Sequence, residues 1–427
     1  MAYLRTAELK RLSGIRDRSA RTLAAEAGDM RVRIPMTVSL AVMLAAASGD
    51  RCAAQDSRAA IITALQEAKA KTAAPYTPSR PERVLVAVHH EFLEDPSGFY
   101  PYFASVYSGG GFTLGAGYRR FYGDRTHADV KGLYSVKSYK LLEVSTDSWG
   151  HADGRLDLHA RAGWRDATQV TFYGLGMDTP NDPSNFRMKQ GYIGGDAATR
   201  PVPWTVFRAG MSYEDYTLES GDGPSPSIEE VHTPASAPGL GASPKYLHLS
   251  ASGGIDTRPS PGYARRGGLY EVTYHNYADR DDTYSFDRMD AEVVQHIPIL
   301  RENWVFSLHG LLRSTLDDTD TVPYFLMPSL GSGSTLRGYS SWRFRDLNSL
   351  LMSGEFRWIP NRLGLDMAIF YDTGKVTPQF RDISWKGLAS DVGIGIRFHG
   401  PFATPLRIEL ANGREGTRLV FAGSAAF

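Results

Sequence analysis

Residues 388–399 read LASDVGIGIRFH. Leu388, Val392, Ile394, Ile396 and Phe398 fall on one parity, and Asp391, Gly393, Gly395, Arg397 and His399 on the other. Side chains of an extended chain point alternately to its two faces, so this is an amphipathic strand. The pattern recurs upstream. In 155–164, Leu156, Leu158, Ala160, Ala162 and Trp164 oppose Arg155, Asp157, His159 and Arg161. In 284–297, Met289, Ala291, Val293 and Ile297 oppose Arg288, Asp290, Glu292 and His296. In 302–313, Trp304, Phe306, Leu308 and Leu312 oppose Ser307, His309 and Arg313. A soluble sheet with one buried face also alternates. Here, however, the polar face carries charges of both signs in strand after strand, and the other face is almost free of charge. Lipid offers no partner to a charge or to a free backbone group, so a wet interior and a lipid-facing exterior require that division. The spacing predicts an all-β fold, a transmembrane antiparallel β-barrel of sixteen strands over residues 99–427. The first strand is placed at about 99–107 and the last at 416–427.

Connection lengths agree. The joins at 360–363 and 399–404 are short, whereas those at 218–245, 315–346 and 374–387 are long, the asymmetry of periplasmic turns and extracellular loops. The chain ends on TRLVFAGSAAF, whose apolar set includes Leu419, Phe421 and Phe427. Phe421 and the terminal Phe427 are read as the aromatic signal of a final barrel strand.

Ahead of the barrel, MTVSLAVMLAAA (36–47) follows Arg31 and Arg33 and precedes small residues. This is the pattern of a secretory signal, with cleavage expected after Ala54 and a better start at Met30 than at Met1. The apolar run is too short to cross a bilayer as a helix. Cys52 is the one cysteine of the chain; charged Asp50 and Arg51 just before it argue against lipidation. Residues 1–54 are therefore assigned to the leader. Residues 55–98 are assigned to a short periplasmic helix, with Ile61, Ile62, Leu65 and Ala68 on one face, and a Pro-rich linker, PYTPSRPER. Lys plus Arg and Asp plus Glu each number 47, and no basic stripe occurs, which excludes a nucleic-acid partner. The expected partner of the barrel is the outer-membrane bilayer. With 43 Gly, 22 Tyr and 19 Phe, the composition suits strands with tight turns and aromatic girdles.

The long loop ending GSGSTLRGYSSWRFRDL contains Leu336, Arg337, Gly338 and Tyr339. With GEFRW (354–358), IFYDTG (369–374) and VGIGIRF (392–398) downstream, and FYGLGMDT (172–179) and DTRPSPGYARRGG (256–268) upstream, the chain resembles the BamA/TamA superfamily of bacterial surface-antigen barrels. The resemblance implies that the loop folds back into the lumen and that its arginine pairs with acidic residues on the strands that follow. Parity allows this for Glu355 and Asp372, and the planar guanidinium fork suits two carboxylates. Gly338 then serves either a close approach of the backbone or a positive φ. The resemblance further implies assistance to the insertion or translocation of unfolded client barrel proteins at a weak seam between the first and last strands, with no cofactor and no catalytic residue. It departs from the family in one respect, because 55–98 leaves no room for a POTRA domain. The alternative is a closed channel or a passive structural surface barrel.

No motif for an enzyme appears: GxSxG, HExxH and a phosphate-binding loop are all absent. His159, His248, His296, His309 and His399 fall singly on different strands without ligand spacing, so no metal site is expected, and His89-His90-Glu91 reads as a solvated segment. The oligomeric state is left open.

Overall fold

The computed structural model describes residues 97–427 apart from 103, 301, 361–364, 400–403, 405 and 423–426. The leader, the expected periplasmic helix and the Pro-rich linker lie outside the described residues. The strands are β1 (Gly98–Tyr102), β2 (Thr113–Tyr122), β3 (Thr126–Ser135), β4 (Lys140–Gly150), β5 (Leu156–Phe172), β6 (Ser184–Thr199), β7 (Thr205–Ser220), β8 (Lys245–Asp256) and β9 (Gly267–Asp279). They continue as β10 (Phe286–Leu300), β11 (Trp304–Thr315), the two-residue β12 (Ser329–Leu330) and β13 (Phe344–Arg345), β14 (Asn348–Trp358), β15 (Leu365–Thr377), β16 (Ala389–Phe398), β17 (Leu406–Gly413) and β18 (Gly416–Ala422). All but β12 and β13 form one sheet of 16 strands in chain order, each antiparallel to the next, as a meander barrel requires.

The two faces of this sheet have opposite chemistry. Ile193 is 62% exposed, Ile369 59% and Ile394 58%, while Asp372 and Arg407 are wholly buried and Glu355 is 1% exposed. A soluble protein has the reverse distribution, since charge is costly to remove from water. Lipid must cover the outer face. Trp304 and Trp358 stack with ring centroids 5.5 Å apart at one end of that face, where an interfacial aromatic girdle belongs.

The lumen is filled from both ends. From the long-loop end, the β11–β14 connection turns inward and forms the small β12–β13 hairpin, pairing Ser329 with Arg345 and Leu330 with Phe344. Above it, Tyr139, Phe172, Phe186, Tyr246, Tyr324 and Phe325 pack into a buried aromatic cap. The β7–β8 loop joins this cap, with the Tyr324 amide donating to the Pro238 carbonyl at 2.8 Å. From the short-turn end, the β8–β9 connection reaches across to the far strands. Tyr263 donates to Asp366 Oδ2 at 2.9 Å and stacks on His399 with centroids 3.7 Å apart.

The first strand is shorter than its alternation predicts. β1 stops at Tyr102 because the chain then leaves the sheet to meet the inward loop. Tyr107 stacks on Trp342 with centroids 4.9 Å apart, and the Trp342 indole donates to the Ser108 carbonyl at 3.0 Å. β18 is described over Gly416–Ala422, and residues 423–426 of the expected last strand lie outside the described residues. An arginine placed at Ile394, mid-strand on the lipid face, should destabilise the barrel by about 2–4 kcal/mol, the cost of a cation near the bilayer midplane. Urea titration in liposomes, read by heat-modifiable mobility, checks this, with Thr273→Arg on the wet face costing less than half as much.

Candidate functional site: an arginine clamp in the lumen

The inward loop is held by its apolar residues before any charge is considered. Leu336, Tyr339 and Phe344 pack with Leu330, Leu351 and Val376 in a buried cluster between the loop and strands β14 and β15. Anchored there, Arg337 is carried into the lumen with only 2% of its surface exposed. Its Nε and Nη2 donate to the two oxygens of Asp372 at 2.7 and 2.8 Å, a bidentate pair. Its Nη1 is 3.2 Å from both Glu355 Oε2 and Glu409 Oε1. The guanidinium carbon lies 3.4 Å from the centroid of the Phe370 ring, so the cation is held from its edge by carboxylates and from its face by π density.

Three carboxylates need more than one cation. Arg397 on β16 bonds both oxygens of Glu355 and lies 2.8 Å from Glu409 Oε1. Arg407 on β17 donates to Glu409 Oε2 at 2.7 Å and to the Gly333 carbonyl of the loop at 2.9 Å. Arg357 lies 3.6 Å from Glu355 and also donates to the Ala264 carbonyl at 2.8 Å, joining the clamp to the β8–β9 turn. The clamp therefore spans β14 to β17 and ties both lumenal fillings to the same four strands.

Small residues make the room. A Cβ on Gly338 would stand 2.5 Å from Asp391 Cβ and 2.9 Å from the Gly413 amide nitrogen. Close approach is thus the reason for this glycine; it is not among the residues of positive φ. A Cβ on Gly393 would lie 2.2 Å from the Phe370 ring, and one on Gly395 would lie 2.6 Å from Glu409 Cγ. The glycines facing inward on β16 are the space in which the ring and the carboxylate sit.

The far end of the loop docks on the opposite wall. Arg343 donates to Thr179 Oγ1, the Thr179 carbonyl and Asn181 Oδ1 at 2.5, 2.9 and 2.8 Å, and pairs with Glu415. Arg345 is buried and donates to the Tyr324 carbonyl at 3.0 Å. The Gly176 amide bonds the Arg345 carbonyl at 2.8 Å, so segment 172–179 is where the loop meets β5 and β6. Tyr339 reaches the Ser390 carbonyl at 3.2 Å.

Of the residues singled out from sequence, Leu336, Arg337, Gly338, Tyr339, Glu355 and Asp372 come together in this one place. Arg397 was visible only as a lumenal charge, and Arg407 and Glu409 were not singled out. Their signal was an i, i+2 charge pair on the inward parity, Arg407 with Glu409, matching Glu355 with Arg357. The two terminal aromatics separate. Phe421 is 59% exposed on the lipid face of β18, but Phe427 does not share that face. Its ring stacks on lumenal His309 with centroids 4.9 Å apart.

An amphipathic 16-stranded meander whose long loop returns to the lumen through a buried arginine defines an outer-membrane β-barrel with a tethered internal plug. The model of the Omp85 superfamily domain matches residues 153–421, and the chain belongs to that superfamily. BamA from Haemophilus ducreyi lacking POTRA domains 1–3 superposes with a TM-score of 0.54 at 13% identity, over 76% of this chain and 68% of that one. CdiB from Escherichia coli gives 0.53 at 12% identity over 82% of this chain, which spans 63% of that protein. No curated protein sequence matches the chain.

Removing Arg337 would leave buried carboxylates uncompensated, a change that typically costs about 3–5 kcal/mol. Arg337→Ala should accordingly unfold at lower urea and expose 329–345 to protease. Arg337→Lys should recover part of the loss, because an ammonium cannot make the bidentate pair and ring stack together. Gly338→Ala should destabilise by about 1–3 kcal/mol through overpacking against Asp391, measured in the same titration.

Proposed function

We propose that this protein assists the insertion or translocation of proteins at the outer membrane, its clients being unfolded barrel proteins. The observation that carries the reading is the contrast between the clamped strands and the edge next to them. Strands β14–β17 are cross-linked by the clamp, whereas β1 has 5 residues and, among the described residues, no backbone pairing joins it to β18. Strand edges with unmet amides and carbonyls are templates for another strand. A rigid wall beside a short, open edge supports a catalyst that offers its edge to a client while the rest of the barrel keeps its shape.

Membership of the superfamily supports the same class of function, and the filled lumen speaks against an open channel. The passive reading, a barrel that only resides in the membrane, draws on the completeness of the clamp, which by itself accounts for stability. The two are separated by the rate at which a small reporter barrel folds into liposomes containing this protein. Acceleration of at least severalfold is expected. It should fall towards the protein-free rate in Arg337→Ala reconstituted as folded barrel, because a loosened wall no longer holds the edge. Absence of acceleration by well-folded wild type overturns the reading in favour of the passive barrel.

A further inference from the structure

At the long-loop end of the clamped wall, the β15–β16 connection is fastened to the outside of the barrel. The outward positions of β15 run Met367, Ile369, Tyr371, Thr373 and Lys375, so the apolar belt gives way to polar side chains in its last two steps. β16 shows the same change, with Ser390 above Val392 and Ile394. Three hydroxyls mark that level. Tyr371 donates to Ser390 Oγ at 3.0 Å, and Thr373 Oγ1 lies 2.8 Å from the same oxygen. Hydrocarbon ends at this height and headgroups begin.

Lys375 stands one step higher. Its side chain leaves the strand on the lipid-facing parity, opposite to Val376, which packs inward against the loop that carries Arg337. The ammonium donates to the Asp382 carbonyl at 3.3 Å, to Ser384 Oγ at 3.4 Å and to the Lys386 carbonyl at 3.1 Å. Its three hydrogens are thereby all given to the connection. Residues 382–386 wrap an outward cation, whereas the β11–β14 connection turns into the lumen.

This fold-back leaves Phe380 58% and Trp385 76% exposed. A single exposed apolar side chain needs no explanation, but two aromatics on one fastened loop at headgroup height form an interfacial pattern. Arg381 and Lys386 beside them are exposed as well. Residues 375–388 carry Lys375, Arg381 and Lys386 against Asp382 alone. Other connections at this end have the opposite balance. Residues 173–183 hold Asp178 and Asp182, and residues 221–244 hold Asp222, Glu229 and Glu230, with no lysine or arginine in either. Residues 280–285 set Asp281 and Asp282 against Arg280. The β15–β16 connection is therefore a cationic, aromatic patch continuous with the lipid-facing belt, and its charge is complementary to phosphate.

We propose that Phe380, Arg381, Trp385 and Lys386 form a docking surface for the phosphate-bearing headgroups of the surrounding leaflet, with Lys375 as the positioning residue that holds the loop against the membrane. The anchor is independent of client insertion. The test uses full-length protein reconstituted in phosphatidylcholine–phosphatidic acid vesicles, in which either lipid is brominated on the acyl carbons nearest the glycerol. The chain has 7 tryptophans, so the quenching of Trp385 is taken as wild type minus Trp385→Phe. At equal mole fractions, brominated phosphatidic acid should quench Trp385 about twofold more than brominated phosphatidylcholine, or better. The preference should vanish in Arg381→Gln combined with Lys386→Gln, and Lys375→Met should lower quenching by both lipids. Should those variants fail to fold, salt supplies a second arm. At about 1 M salt, where the screening length falls to about 3 Å, the preference should collapse while quenching itself persists. Equal quenching by the two lipids overturns the proposal, because an ordinary interfacial aromatic does not select phosphate. No quenching by either lipid leaves the loop facing water and overturns it too, as does a preference that survives salt.

Discussion

Glu355, Asp372 and Glu409 stand almost without solvent on β14, β15 and β17, and their burial is offset only by the four arginines brought to them. Three of those arginines, Arg357, Arg397 and Arg407, come from the wall itself, but Arg337 has to be delivered by a loop that enters from the far end of the barrel. Burial of this group makes the loop position stringent. Without the loop, the carboxylates on β14, β15 and β17 would face each other with too little compensation. Without the carboxylates, a desolvated guanidinium would have no place in the lumen. Each is therefore a condition for the other, and the Leu336–Tyr339–Phe344 cluster supplies the apolar contact that sets the loop in register before the charges engage.

The clamp also explains how the two ends of the lumen are connected. Arg357 reaches the β8–β9 turn, Arg407 reaches the loop backbone at Gly333, and Arg343 and Arg345 carry the loop on to the wall of β5 and β6. Order is concentrated on β14–β17, the strands just before the last one. The edge strands β1 and β18 take no comparable share of it. Such a distribution allows the edge of a barrel to yield while the wall beside it holds.

Much of the fold was legible in the chain. Parity of apolar and charged residues assigned inward and outward faces over most of the barrel. It also allowed Glu355 and Asp372 to face the lumen, and both are buried there. What parity leaves undetermined is depth along the lumen. His248 and His275 lie on adjacent strands but pair diagonally, with His248 opposite Tyr277 and His275 opposite Ser250, and no spacing in the chain announces that they meet. The same holds for Arg397 and Glu409, whose contact depends on the stagger of β16 against β17.

The chain by itself determined that this is a sixteen-stranded barrel with a lipid face, a charged interior and a loop able to carry an arginine inward, because a period of two is a local property that lipid and water then select. Tertiary structure alone decided which carboxylates receive that arginine, where β1 stops, and that Phe427 turns to His309 rather than to lipid. Those outcomes depend on register and on strand stagger, quantities set by cross-strand hydrogen bonds between distant residues and therefore absent from any local pattern.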